Sequence, residues 1–232
     1  DRAELEASDR APNWRGHSDT EVLLAAIEVW GTNAALARCA GMFAFAVFDR
    51  QTRTLTLARD RLGEKPLYYG TQGGVFLFGS DLAALKQHPA WQGEIDRDAL
   101  TLLLRYNSIP APYTIYRSIK KLEPGCILEI KCGGEPLITP YWDATREIAN
   151  ASANIFTGSA KEAATETERL LRQSLAGQMI SDVPLGAFLS GGIDSSTVVA
   201  LMQTMSTRPV KTFSIGFHEQ GYDEAPFAAA VA

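Results

Sequence analysis

The chain has 232 residues, 46% of them apolar, and a net charge of −5. That length predicts one large or two small domains, and that apolar share is enough for a packed core. The acidic balance excludes a basic footprint for nucleic acid or anionic membrane, and no apolar run reaches spanning length. No signal-peptide pattern opens the chain. Cys39, Cys126 and Cys132 have neither zinc nor redox spacing, and an odd count fits a reducing, cytoplasmic compartment.

In chain order, Ser18 and Glu21 predict a capping box. Val22, Leu23, Ala26, Ile27 and Trp30 then recur at helical spacing, and Gly31 ends the run. Asp19 falls in the first turn, where a carboxylate suits the positive helix end. His17, just before that start, reads as structural. Segments 41–49 and 54–60 predict two strands, the second alternating polar and apolar residues as a half-buried strand does. Leu67 to Gly70, a Gly73-Gly74 turn and Val75 to Gly79 continue the hairpins, so an antiparallel sheet is expected. Arg59, Asp60, Glu64 and Lys65 lie between these strands and receive no role from the sequence. Asp81 and Asp96 cap two short helices. Thr114-Ile115-Tyr116 and Cys126 to Ile130 read as strands, and Tyr141-Trp142-Asp143 closes the region.

Residues 144–158 are small, polar and aperiodic, which predicts a linker. Ser159 and Glu162 give a second capping box. Ala164, Thr167, Leu171, Leu175 and Met179 form one stripe of the helix that follows. An apolar run, 185–189, then enters Ser190-Gly191-Gly192-Ile193-Asp194-Ser195-Ser196, and a helical run follows. Strand, glycine turn and helix aim backbone N–H groups at an anion, and three serines add hydroxyls. The loop is not a Walker A sequence, because Ile193-Asp194 stand where Lys-Ser/Thr would follow the glycines. Asp194 has two readings: a Mg²⁺ ligand that bridges to phosphate, or a cap on the helix start. Residues 210–217 predict a second strand, parallel to the first.

The 190–196 loop resembles the PP-loop of N-type ATP pyrophosphatases. With its lead-in, 181–189, it looks like the synthetase half of glutamine-hydrolysing asparagine synthetases. Segment 14–24, Trp-Arg-Gly-His-Ser-Asp-Thr-Glu-Val-Leu-Leu, looks like the part of class II glutaminase domains whose Asp contacts the α-amino group of glutamine. Segments 41–49 and 58–69 look like the same domain.

The resemblance implies an α+β glutaminase, an Ntn-hydrolase-like αββα sandwich, at residues 1–143. A linker would follow at 144–158, then an α/β PP-loop adenine-nucleotide-binding domain with a parallel sheet at 159–232, both domains being incomplete. It assigns glutamine binding to Asp19 and ATP or pyrophosphate binding to Leu189, Ser190, Gly191, Gly192, Ile193, Asp194, Ser195, Ser196 and Ile215, with Mg²⁺ at Asp194. Leu189 and Ile215 would pack on adenine, although plain strand core explains them equally well.

The implied reaction amidates L-aspartate to L-asparagine with ammonia from glutamine. ATP is the activating substrate, an acyl-adenylate the intermediate, and AMP and pyrophosphate the products. The alternatives are a related amidotransferase for another carboxylate and a non-catalytic nucleotide- or glutamine-binding module. A homo-oligomer is left open. Class II glutaminases use a Cys at the mature N-terminus. The chain begins with Asp1, and none of its cysteines is terminal. It therefore reads as a middle portion of a longer enzyme, inactive alone and without the catalytic nucleophile.

Overall fold

The computed structural model describes residues 2–8, 12–219 and 221–232. The chain divides into two compact units, Asp1–Ala153 and Asn154–Ala232.

The first unit opens with helices α1 (Arg2–Glu6), α2 (Asp19–Trp30) and α3 (Thr32–Arg38). Strands β1 (Ala44–Asp49), β2 (Thr54–Arg59), β3 (Tyr68–Gln72) and β4 (Val75–Gly79) follow, then helices α4 (Leu82–Leu85) and α5 (Arg97–Tyr106). Strands β5 (Ile119–Lys121), β6 (Cys126–Lys131) and β7 (Leu137–Pro140) and helix α6 (Ala144–Ala153) complete it. The hairpins do not build one sheet. β1-β2-β6-β7 form one antiparallel sheet and β4-β3-β5 another.

Strand alternation explains why there are two sheets. Leu57, Cys126 and Leu128 point from the first sheet into a cluster with Tyr69 of the second and Leu67 just before β3. Ala58 and Ile127, one residue out of phase, point the other way and meet Leu36 of α3. Beyond the second sheet, Leu77 and Ile119 pack with Leu85 of α4. The order helix, sheet, sheet, helix is that of the αββα sandwich expected from the sequence. Within the second sheet the backbones come unusually close at one point. A Cβ on Gly70 would lie 1.8 Å from the Ser118 carbonyl oxygen, so β3 accepts β5 beside it only with glycine there.

Three expectations change. Thr114-Ile115-Tyr116 is not a strand. Tyr116 makes an isolated bridge to Ile95, and the true strand starts at Ile119. The cause is the buried Thr114 hydroxyl, which accepts the Tyr116 N–H at 3.1 Å, donates to Ile119 O at 2.7 Å and folds the segment back. Helix α3 follows Gly31, where the spacing predicts only a helix stop. The predicted linker is helical over Ala144–Ala153, started by Asp143, which accepts the N–H of Thr145 at 2.7 Å. No α6 residue is buried, consistent with its lack of an apolar stripe.

The second unit contains α7 (Ala160–Gln178), β8 (Gly186–Phe188), α8 (Ile193–Met205), β9 (Lys211–Phe213) and α9 (Ala225–Val231). The Ser159–Glu162 capping box is complete. Glu162 N–H donates to Ser159 Oγ at 3.3 Å, and Ser159 N–H donates to Glu162 Oε2 at 2.8 Å. The α7 stripe buries Leu175, with Leu171 and Met179 beside it, against Leu201 and Met202 of α8. β8 and β9 pair in parallel, Phe188 opposite Phe213. Both are shorter than predicted. Beyond Phe213 a side chain takes over, Ser214 Oγ donating to Leu189 O at 2.6 Å.

Candidate functional site

The first candidate lies at the start of α2. Ser18 is the N-cap and accepts the Glu21 N–H at 3.2 Å, as the sequence predicts. Glu21 does not complete the box. Its carboxylate reaches past Ser18 and accepts the N–H groups of Arg15 (2.7 Å) and Gly16 (2.9 Å). The Arg15 N–H bond is the main cause that holds the Glu21 carboxyl below its ordinary range. Desolvation opposes it, and the Gly16 N–H and the charges of Arg2 and Arg15 add to it. Arg2 Nη1 donates to Gly16 O at 3.1 Å, and its guanidinium lies 4.4 Å from the Trp14 ring centroid. Asp19 is exposed. Its Oδ1 accepts from Thr20 N (2.7 Å) and Thr20 Oγ1 (3.4 Å), both from the next residue. His17 Nδ1 is 3.5 Å from Arg2 Nη1.

The charged run left without a role organises the chain between β2 and β3. Asp60 is 1% exposed. It accepts from Glu64 N (2.9 Å), Lys65 N (3.0 Å) and Phe43 N (3.3 Å). Burial pushes its carboxyl up, but the N–H groups of Lys65, Glu64, Phe43 and Gly63 outweigh burial and leave it below the ordinary value. Arg59 donates to Lys65 O (2.8 Å), Leu122 O (2.6 Å) and Gly63 O (2.6 Å). Both side chains are bonded to backbone, which makes them structural.

The second candidate is the 190–196 loop, in the other unit. β8 ends just before Leu189, whose N–H donates to Phe213 O at 2.9 Å. Gly191 turns the chain at φ 80°, and a Cβ there would lie 2.5 Å from the Phe227 carbonyl carbon. Gly192 is the N-cap of α8 and has no side-chain capping bond. Asp194 therefore does not cap, and it stands exposed in the first turn. Ser190 Oγ and Ser195 Oγ are 2.9 Å apart, Ser195 Oγ accepts from Ser190 N (3.3 Å), and Ser190 Oγ accepts from Gly192 N (3.3 Å). The Ser196 hydroxyl is buried and has no partner among the described residues. Leu189 is 2% exposed, whereas Ile193 is 86% and Ile215 64% exposed. Plain strand core thus accounts for Leu189 alone.

Among the described residues no three His, Cys, Asp or Glu side chains gather as a metal site. Asp194 offers a single exposed carboxylate beside serine hydroxyls. That donor set fits a Mg²⁺ carried on substrate phosphates, which needs one or two carboxylates, and not a protein-only cage. Burial pushes the thiols of Cys39 and Cys126 up, so neither is an activated nucleophile.

Residues 2–142 match the family model described as glutamine amidotransferase domain, and residues 166–232 match the one described as asparagine synthase. Asparagine synthetase [glutamine-hydrolyzing] 1 of Bacillus subtilis (strain 168) is 35% identical over 240 residues, covering 100% of this chain and 35% of the relative. The chain belongs to the glutamine-hydrolysing asparagine synthetase family. Asparagine synthetase [glutamine-hydrolyzing] 3 of the same strain is 34% identical over 215 residues, covering 88% of this chain and 34% of the relative. The chain spans about a third of the length of these asparagine synthetases. A solved glutamine phosphoribosylpyrophosphate amidotransferase from B. subtilis aligns with TM-score 0.42 and 21% identity over 61% of this chain and 26% of that one. Within the family, the α2 start belongs to the amidotransferase part and the 190–196 loop to the synthase part. No helix among the described residues is long and apolar enough to cross a membrane.

Proposed function

We propose that this chain is part of an enzyme that converts L-aspartate to L-asparagine with ammonia released from glutamine. ATP activates the β-carboxylate as an acyl-adenylate, and AMP and pyrophosphate leave. The observation that carries the reading is the pairing, on one chain, of an amidotransferase unit with a serine- and glycine-rich loop. That loop lies between a parallel β8–β9 edge and the start of α8.

In this reading Asp19 takes the α-amino group of glutamine, since an exposed carboxylate at a fixed helix start suits an ammonium. First-turn N–H groups of α8 and the hydroxyls of Ser190, Ser195 and Ser196 take up charge as pyrophosphate departs, at a helix end that already favours anions. Gly192 keeps a side chain out of that approach, and Gly191 lets the loop turn close against the Phe227 backbone. Leu189, Ile193 and Ile215 border it, and exposed Ile215 is the better candidate for an adenine ring. Mg²⁺, when bound, would neutralise phosphate oxygens, with Asp194 as its protein ligand. We keep residues 1–143 as the amidotransferase domain, 144–158 as the connection and 159–232 as the synthetase domain. The substrates are small molecules, and the odd cysteine count supports a reducing, cytoplasmic setting.

The test is aspartate-dependent pyrophosphate release by the whole protein with ATP and Mg²⁺, supplied first with ammonia and then with glutamine. Release with both donors is expected. Release with another carboxylate and none with aspartate would move the acceptor and overturn the aspartate assignment.

A further inference from the structure

Among the described residues Asp19 has no anchor beyond its neighbour. Its hydrogen bonds go to Thr20, the next residue, so its position is inherited from the start of α2. That start is held by Glu21 from two directions. Its N–H donates to Ser18 Oγ at 3.2 Å, which fixes the cap. Its carboxylate accepts Arg15 N at 2.7 Å and Gly16 N at 2.9 Å, which fixes the chain entering the cap. In an ordinary capping box the carboxylate would satisfy the cap residue's own N–H. Here it ties down the two residues before His17. Arg2 closes the same turn from outside, donating to Gly16 O at 3.1 Å.

We infer that Glu21 is a positioning residue for glutamine: its carboxylate clamps the 15–18 turn and thereby sets where the Asp19 carboxylate stands. The inference rests on the reading of Asp19 given above. Both Glu21 carboxylate oxygens are taken up by backbone N–H groups, so it acts through Asp19. A carboxylate offers two acceptor oxygens where an amide offers one, so Glu21→Gln keeps the size but leaves one of the two N–H groups facing a donor.

The experiment measures glutamine-dependent kinetics of the whole protein carrying Glu21→Gln, Asp19→Asn, or both. Misplacing a binding carboxylate raises KM, whereas a smaller folded fraction lowers kcat and leaves KM alone. Glu21→Gln is expected to raise KM for glutamine about tenfold, with kcat falling less than about threefold. If Glu21 acts through Asp19, the double variant's KM lies close to that of Asp19→Asn alone, because neighbouring effects on one element do not add. A lower kcat at constant KM, no change in either constant, or fully additive effects would each overturn the positioning role. An Asp19→Asn variant with unchanged KM would sink the glutamine reading itself, and with it the role given to Glu21. A raised KM in Asp19→Asn beside an unaltered Glu21→Gln would refute the positioning role alone.

Discussion

Asp60→Asn removes a charge that the sandwich uses as a staple. Its two oxygens accept three backbone N–H groups, from Glu64, Lys65 and Phe43, at 2.9, 3.0 and 3.3 Å. Asparagine has one acceptor oxygen, so at least one of those donors loses its partner and meets an NH₂ group instead. A hydrogen bond to a charged group contributes about 1.5–3 kcal/mol, and Asp60 is too buried for water to replace the lost acceptor. With about 1.4 kcal/mol per factor of ten, amide exchange at Glu64 and Lys65 should speed up about 10- to 150-fold in Asp60→Asn. Hydrogen–deuterium exchange of a peptide covering residues 61–66 measures it.

The pH dependence has a definite sign. The folded Asp60 carboxyl lies below its ordinary value, so its contribution is complete above the unfolded pKa of about 3.9. It is lost as pH falls through the depressed folded value. Asp49, which accepts from Gln51 N (2.8 Å) and Thr52 N (3.2 Å) on an exposed turn, is the control, because water replaces its lost bonds. Exchange in Asp60→Asn within about twofold of the parent, or equal effects of Asp60→Asn and Asp49→Asn, would refute the argument that a buried charge holds this loop.

Three further outcomes are expected. Gly191→Ala should abolish pyrophosphate release while glutaminase activity survives, since φ 80° disfavours alanine and its Cβ would fall 2.5 Å from Phe227 backbone; steady-state assays of both half-reactions check it. Asp194→Asn should likewise stop pyrophosphate release and spare glutamine hydrolysis, and equal loss of both would signal misfolding instead of a lost ligand. Leu175→Ala should destabilise the second unit by about 2–5 kcal/mol, because it opens a hole between α7 and α8; urea unfolding followed by amide exchange in residues 198–202 measures it.

The sequence carried the local devices well. Ser18, Asp81, Asp96 and Ser159 each cap the helix they precede. The stripe of Leu171, Leu175 and Met179 points to the face that is buried. Alternation in 54–60 predicts a strand with one buried face, but β2 is buried on both, since it runs between β1 and β6 with the second sheet on one side and Leu36 of α3 on the other. What escaped it were bonds between residues distant along the chain. Arg59 donates to Leu122 O, 63 residues away, and nothing in the local pattern of either marks that pairing. The split into two sheets is hidden for the same reason. β2 looks like the natural partner of the next hairpin, but it pairs with β6 across more than sixty intervening residues. Glu21 was visible as half of a box, yet its true acceptor role depends on a turn at Arg15 and Gly16 that spacing does not encode.

The loop at 190–196 makes the same point about chemistry. Spacing offers three serine hydroxyls as equal anion donors, but the structure makes them unequal. Ser190 and Ser195 bond to each other and to loop backbone, so they set the loop's shape before any anion arrives. Ser196 has a buried hydroxyl without a partner among the described residues, a state that costs about 1–3 kcal/mol unless something supplies one. In the proposed reading the Ser190–Ser195 pair thus enters as a preset frame, and its hydroxyls act together with the first-turn N–H groups of α8 and the Ser196 hydroxyl. If the proposed pyrophosphate role holds, a loop shaped in advance in this way lowers the reorganisation needed at the moment of bond cleavage.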